Sequence, residues 1–290
     1  MKKFFFTLLA ISFLPVIAFA DEPPELRKLR QEAINLYFKA RSEEDKTNKH
    51  DLYKKALEKT NFLIKVAPNY VDALKLRSEI KLDSNVSLNN ANLSYEKDLE
   101  GALQDINRAI NFGGPEDPSL YTTRADIYIA IWEQTNSHLD SIKKFGYWYP
   151  FMKTENCKNI KYYRYCDKKL DEERKLEIIS MLKKLSNSSY LNVLENFDKA
   201  ISIKKTDFHF YERAIFFGKN KEYERAISDI NKAIDLSSGY WSIAYTKWRI
   251  RFNRLSGNLS AACKDYILIK DNVTQDELSY VLEMDGVNCN

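Results

Sequence analysis

One feature of this chain limits its fold more than any other: a short pattern that recurs along it. EGALQDINRAINFG (100–113), LNVLENFDKAISIK (191–204) and ERAISDINKAIDLS (224–237) align without gaps, and KKALEKTNFLIKVA (54–67) and SAACKDYILIK (260–270) fit more loosely. Each of the first three carries a small or apolar residue, a bulkier one four later and a small one three after that: Ala102/Ile106/Ala109, Val193/Phe197/Ala200 and Ala226/Ile230/Ala233. Steps of four and three fall on one face of an α-helix. The small residues let a neighbouring helix approach, and the bulky one fills the seam. Ahead of two of these segments lie PSLYTTRADIYIA (118–130) and FHFYERAIFFGK (208–219), which share an aromatic residue, Arg-Ala, and a large ring three after the Ala. Phe197 and Ile230 are 33 residues apart, as are Ala200 and Ala233. A chain of 290 residues with only 8 Gly and 7 Pro suits long helices with short links and argues against an all-β protein needing many tight turns.

This pattern resembles the tetratricopeptide repeat, a helix–turn–helix unit of about 34 residues. Residues 206–238 carry the resemblance best, with Phe210, Ala214, Phe217, Tyr223, Ala226, Ile230 and Ala233 at signature positions, although Ser238 stands where the motif ends in Pro. Ala67-Pro68-Asn69-Tyr70 does supply such a Pro. The resemblance implies an all-α, right-handed solenoid of stacked antiparallel helix pairs, with five or six units at about 22–68, 69–114, 118–140, 170–205, 206–238 and 239–270. Stacking buries a core that no single unit could make. The rival reading is an irregular helical bundle whose Ala/Ile spacing is core packing only. Departures from the pattern are expected at three places. A polar stretch, Arg41 to His50, separates helices at 25–41 and 52–66, and Asp83 to Ser94 separates 70–82 from 96–112. The period is lost over an insertion at 141–170, before an amphipathic stretch from Leu170 to Leu185 that pairs with 190–204 as a degenerate repeat. Thr274-x-x-Glu277 is a capping box that opens a capping helix over 274–285.

Residues 1–20 read as a signal peptide: Lys2 and Lys3, an apolar run from Phe4, and an Ala18-Phe19-Ala20 exit. A retained anchor is the alternative, but the run is short and Pro15 interrupts it. Cleavage would leave a periplasmic or secreted chain with no further membrane span. Its four cysteines, Cys157, Cys166, Cys263 and Cys289, allow three pairings in an oxidising compartment. Proximity favours Cys157–Cys166 and Cys263–Cys289, which chain entropy values at about 2.7 and 3.6 kcal/mol. The alternative, a zinc site, lacks close Cys or His pairs. Ala261-Ala262-Cys263-Lys264-Asp265-Tyr266 with a late Cys289 also resembles the ending of some exported bacterial tetratricopeptide proteins.

No GxSxG, HExxH, P-loop or GxGxxG motif occurs, so the sequence reads as a non-catalytic chain with no cofactor or metal. The family resemblance implies binding of a protein or peptide in the groove lined by the first helix of each pair. Carried over position by position, the candidates are Asp72, Lys75 and Glu79; Thr122 and Asp126; Tyr211 and Ile215; Thr246 and Ile250. The insertion offers a second surface. Tyr147, Trp148 and Tyr149 form an aromatic cluster, and Lys161 and Arg164 belong to a segment with eight basic and two acidic residues. Such a mixture could recognise an acidic glycan or surface polymer, or simply pack the insertion down. The whole chain carries only +4, and with export this argues against nucleic acid as a partner.

Overall fold

The computed structural model describes residues 22–84, 98–113, 116–145, 172–272 and 289. Among these, every regular element is helical: α1 (Pro24–Ser42), α2 (Lys46–Val66), α3 (Val71–Asp83), α4 (Leu99–Gly113), α5 (Pro118–Phe145), α6 (Glu172–Ile203), α7 (Asp207–Lys219), α8 (Tyr223–Leu236), α9 (Tyr240–Leu255) and α10 (Leu259–Ile269), closed by a 3-10 turn at Lys270–Asn272. The chain divides into two compact units, 1–115 and 116–290.

In the first unit α1 pairs with α2, and α3 with α4. The α1–α2 link is shorter than the polar stretch Arg41 to His50 suggested, leaving only Glu43–Asp45 outside the helices. Asp45 is the cause: its carboxylate accepts the Asn48 N–H at 2.8 Å, capping α2 early. Lys49 then reaches the Glu43 carbonyl at 3.1 Å. Ala33, Ala40 and Ala56 are fully buried, and their small size lets Tyr37 and Tyr53 meet with ring centroids 6.3 Å apart. Tyr37 donates its hydroxyl to Asp83 at 2.8 Å, tying α1 to α3.

In the second unit α5 pairs with α6, α7 with α8, and α9 with α10. Here the expected units 118–140 and 170–205 are corrected. From Glu172 to Ile203 the expected pair is not two helices but one continuous helix, and α5 extends to Phe145, inside the expected insertion. Two clusters show these long helices packing antiparallel. Ala125 lies with Val193 and Phe197 near one end, and Leu139 and Ile142 lie with Ile178 and Leu182 near the other. The polar run Ser186-Asn187-Ser188-Ser189 stays helical because α5 backs it: Ser189 is buried, and Ser186 donates to Asn136 at 2.9 Å.

The recurrent small–bulky–small triplets form the seams. Ala102, Ile106, Ala109, Val193, Phe197, Ala200, Ala226, Ile230 and Ala233 are all 0% exposed. A second periodic device fixes the two helices of a pair against each other. Arg213 on α7 grips Asp229 on α8 with Nε and Nη2, at 2.6 and 2.9 Å. Arg249 holds Asp265 in the same fork at 2.7 and 2.6 Å, and Arg77 holds Asp105 at 2.7 and 2.5 Å. The third nitrogen of each Arg reaches back to the preceding pair's second helix, at Asp198, Asn231 and Asn61 respectively. In α5–α6 the rung is Arg124 to Asn196, at 2.7 Å. In α1–α2 its polarity is reversed, with Lys59 on Glu32 at 2.6 Å. Bidentate guanidinium–carboxylate pairs fix orientation as well as distance.

Cys263 on α10 is joined to Cys289 by a disulfide, with Cα atoms 5.2 Å apart. Cys157, Cys166, the aromatic and basic residues of the insertion beyond 145, the signal peptide and the capping helix at 274–285 lie outside the described residues. Among the described residues, no helix is long and apolar enough to cross a membrane.

Candidate partner-binding groove

The ladder arginines give α3, α5, α7 and α9 a common register. Two residues before and after each Arg stand Lys75 and Glu79, Thr122 and Asp126, and Tyr211 and Ile215, all half-buried. In α9 the same offsets from Arg249 fall on Lys247 and Arg251. The expected Thr246 and Ile250 are therefore corrected by one position. A one-residue slip turns a side chain by about 100° around the helix, and it moves these two into the core. Thr246 is 3% exposed and donates to the Ser242 carbonyl at 2.8 Å, while Ile250 is fully buried against Ala262 and Ile269. Neither is open to a partner.

The remaining candidates divide by unit. On α3, Asp72 is exposed and lies 3.4 Å from Arg30, and Lys75 stands 3.8 Å from Glu79. This face is a set of local ion pairs, which bring little net energy. In the second unit, Thr122 spends its hydroxyl on the Ser119 carbonyl at 3.0 Å, and Asp126 is half-buried one turn further along α5.

Tyr211 and Ile215 lie in richer surroundings. The Tyr211 ring sits 5.1 Å from that of Tyr245 and 6.3 Å from that of Trp248, both on α9. Towards α5, Trp132 meets Phe216 edge-on at 5.5 Å, and Lys219 pairs with Glu133 at 2.7 Å. Gly218 makes the α7–α9 approach possible, since an added Cβ would stand 2.3 Å from Cε1 of Phe252. The α5, α7 and α9 faces thus combine half-buried aromatic rings with a few charged groups.

The sequence reading passed over Glu212, one residue before the ladder Arg. Burial pushes its carboxyl above the ordinary range, and the charge of Lys219 only partly offsets this. Burial raises the Tyr211 hydroxyl and the Glu212 charge adds to it; for Tyr245 burial comes first, then Asp207 and Tyr211, and Glu212 last. A Glu in a run rich in Phe and Tyr was the available signal.

No protein-family model matches this sequence, and no curated protein matches it. Among solved structures the chain is similar to TTC0263, a thermophilic TPR protein of Thermus thermophilus, with a TM-score of 0.51 and 13% identity over 89% of this chain and 97% of that one. The fold is that of the tetratricopeptide repeat. PilF of Pseudomonas aeruginosa also aligns, at a TM-score of 0.31 and 11% identity over 90% of this chain and all of that one. In tetratricopeptide-repeat terms, α1, α3, α5, α7 and α9 are the first helices of their pairs, and Arg–Asp rungs brace α3, α7 and α9.

Proposed function

We propose that this chain is an exported, non-catalytic adaptor that holds another protein or peptide against the first helices of its repeats. The observation that carries this reading is the α5–α7–α9 face. Trp132, Tyr211 and Trp248 are half-buried on it, while α7 and α9 are fixed by bidentate Arg–Asp pairs. A rigid frame under adaptable side chains lowers the ordering cost of binding. The signal-like first twenty residues support export to the periplasm or beyond, where a Cys263–Cys289 bond would persist.

A photo-crosslinking residue at Ile215 or Asp126, compared with one at Glu195 on α6, tests the proposal in living cells. A discrete partner captured from the first two positions and not from the third supports it. Equal capture at all three, or none, overturns it. The basic aromatic insertion as a reader of an acidic polymer is the alternative. Its test is removal of 146–171 rather than 141–170, because Ile142 is fully buried in the α5–α6 core. The adaptor reading expects partner capture to survive that deletion.

A further inference from the structure

Glu22 stands two residues beyond the Ala18-Phe19-Ala20 exit, and the first unit closes around it. Its carboxylate accepts Nε and Nη2 of Arg30 on α1, at 3.2 and 3.0 Å. The hydroxyl of Tyr70, the residue that precedes α3, donates to the same carboxylate. One side chain thereby bridges two helix pairs. Arg27 Nη2 donates to the Glu22 main-chain carbonyl at 3.2 Å, so the backbone is held as well. The Arg30 guanidinium is itself set between the Tyr70 ring, 6.0 Å from its centroid, and Asp72, 3.4 Å away. The Glu22 side chain is only 13% exposed, which separates this clasp from the weak ion pairs of open surfaces. Hydrogen bonds in which both partners are charged are the strong ones. Pro23 follows at once and α1 begins at Pro24, so the chain is fixed continuously from residue 22. A protease cuts a folded chain through its locally opened form, at a rate that follows how often that form is populated. For a cut after Ala20, Asp21 is the single residue between the scissile bond and the clasp.

We infer that the Glu22–Arg30–Tyr70 clasp controls processing of the chain: once it closes, the Ala20–Asp21 bond is shut to signal peptidase. The chain is then cut before its first two helix pairs fold against each other, or it keeps its leader. A chain that folds first stays attached to its apolar run from Phe4, and one that is cut first is released. This inference rests on reading residues 1–20 as a signal peptide, and it specifies what decides between the free and the leader-bearing form.

Signal peptidase in detergent, acting on three substrates, provides the test. They are a peptide of residues 1–30, which lacks Tyr70, the folded full-length chain, and the folded full-length chain carrying Arg30→Gln with Tyr70→Phe. Both changes leave the sequence around the cut as it is. The peptide is expected to be cut after Ala20. The folded wild type should be cut at least about tenfold more slowly, the scarcity of open form expected from hydrogen bonds to charged groups. The double variant should return towards the peptide's rate. Tyr70→Phe alone keeps the ring and loses one bond to Glu22, so its rate should fall between. Circular dichroism and thermal melting establish that the full-length chains are folded. A folded wild type cut as fast as the peptide, or folded variants as resistant as the wild type, overturn the inference and leave the signal peptide standing. If the peptide itself is not cut after Ala20, both fall.

Discussion

Lys221 and Gly257 occupy the same place in the turns within two successive helix pairs of the second unit, and only one of them suits it. In the α7–α8 turn the Glu222 N–H donates to the Phe217 carbonyl at 2.9 Å and the Lys221 N–H to Gly218 at 3.1 Å. In the α9–α10 turn Asn258 donates to Asn253 at 2.7 Å and Gly257 to Arg254 at 2.9 Å. Both are Schellman closures, which need a left-handed residue. Gly257 has φ +85° and Lys221 has φ +62°. A side chain in that region costs about 1 kcal/mol, so Lys221→Gly should raise the urea midpoint and Gly257→Ala should lower it. Gly218 answers a different demand, space. Phe252 fills the position of its missing Cβ and is only 2% exposed, so the ring has little room to retreat. Gly218→Ala should cost about 1–3 kcal/mol from overpacking, more than the better helix propensity of Ala returns. Adding Phe252→Leu should recover part of the loss in the same unfolding assay.

At the scale of the helix pair, the ladder makes the sharpest claim. Asp229 has a side chain 3% exposed and accepts both prongs of Arg213. Asp229→Ala leaves that guanidinium with Asp198 alone, and breaking a withdrawn pair in this way should cost about 3 kcal/mol by chemical denaturation. Lys59→Ala removes the reversed rung of α1–α2, whose side chains are 31% and 43% exposed. Its midpoint should barely move, because water already screens the pair. Half of this device was legible in the sequence. Arg-Ala recurs ahead of two trailing helices, and Asp105, Asn196, Asp229 and Asp265 fall in one column of the aligned repeats. That the two columns meet follows only when the helices are folded against each other. The continuity of α6 was less legible still. Ser186-Asn187-Ser188-Ser189 reads locally as a break, and the packing of α5 along it overrides that local preference.

For the molecule as a whole, the disulfide of α10 offers a test of how stability is distributed. It ties Cys263 to Cys289, 26 residues later, so its loss releases a local link and leaves the helix pairs intact. Replacing Cys263 and Cys289 by Ser should make the segment after Asn272 sensitive to protease while the far-ultraviolet helical signal stays nearly unchanged. A collapse of that signal would show the bond to be essential to the fold. By itself the sequence determined that the chain is built of helix pairs, and which residues line their seams. A 33-residue recurrence with steps of four and three admits little else, because backbone hydrogen bonding and apolar burial are both satisfied locally. Only the tertiary structure decided which helices pair across the irregular middle, and on which side Thr246, Ile250 and Glu212 fall. Each residue turns the helix face by about 100°. A shift of one position, invisible to composition and tolerated by the pattern, separates the core from the groove, and that rotation is set by the neighbouring helix.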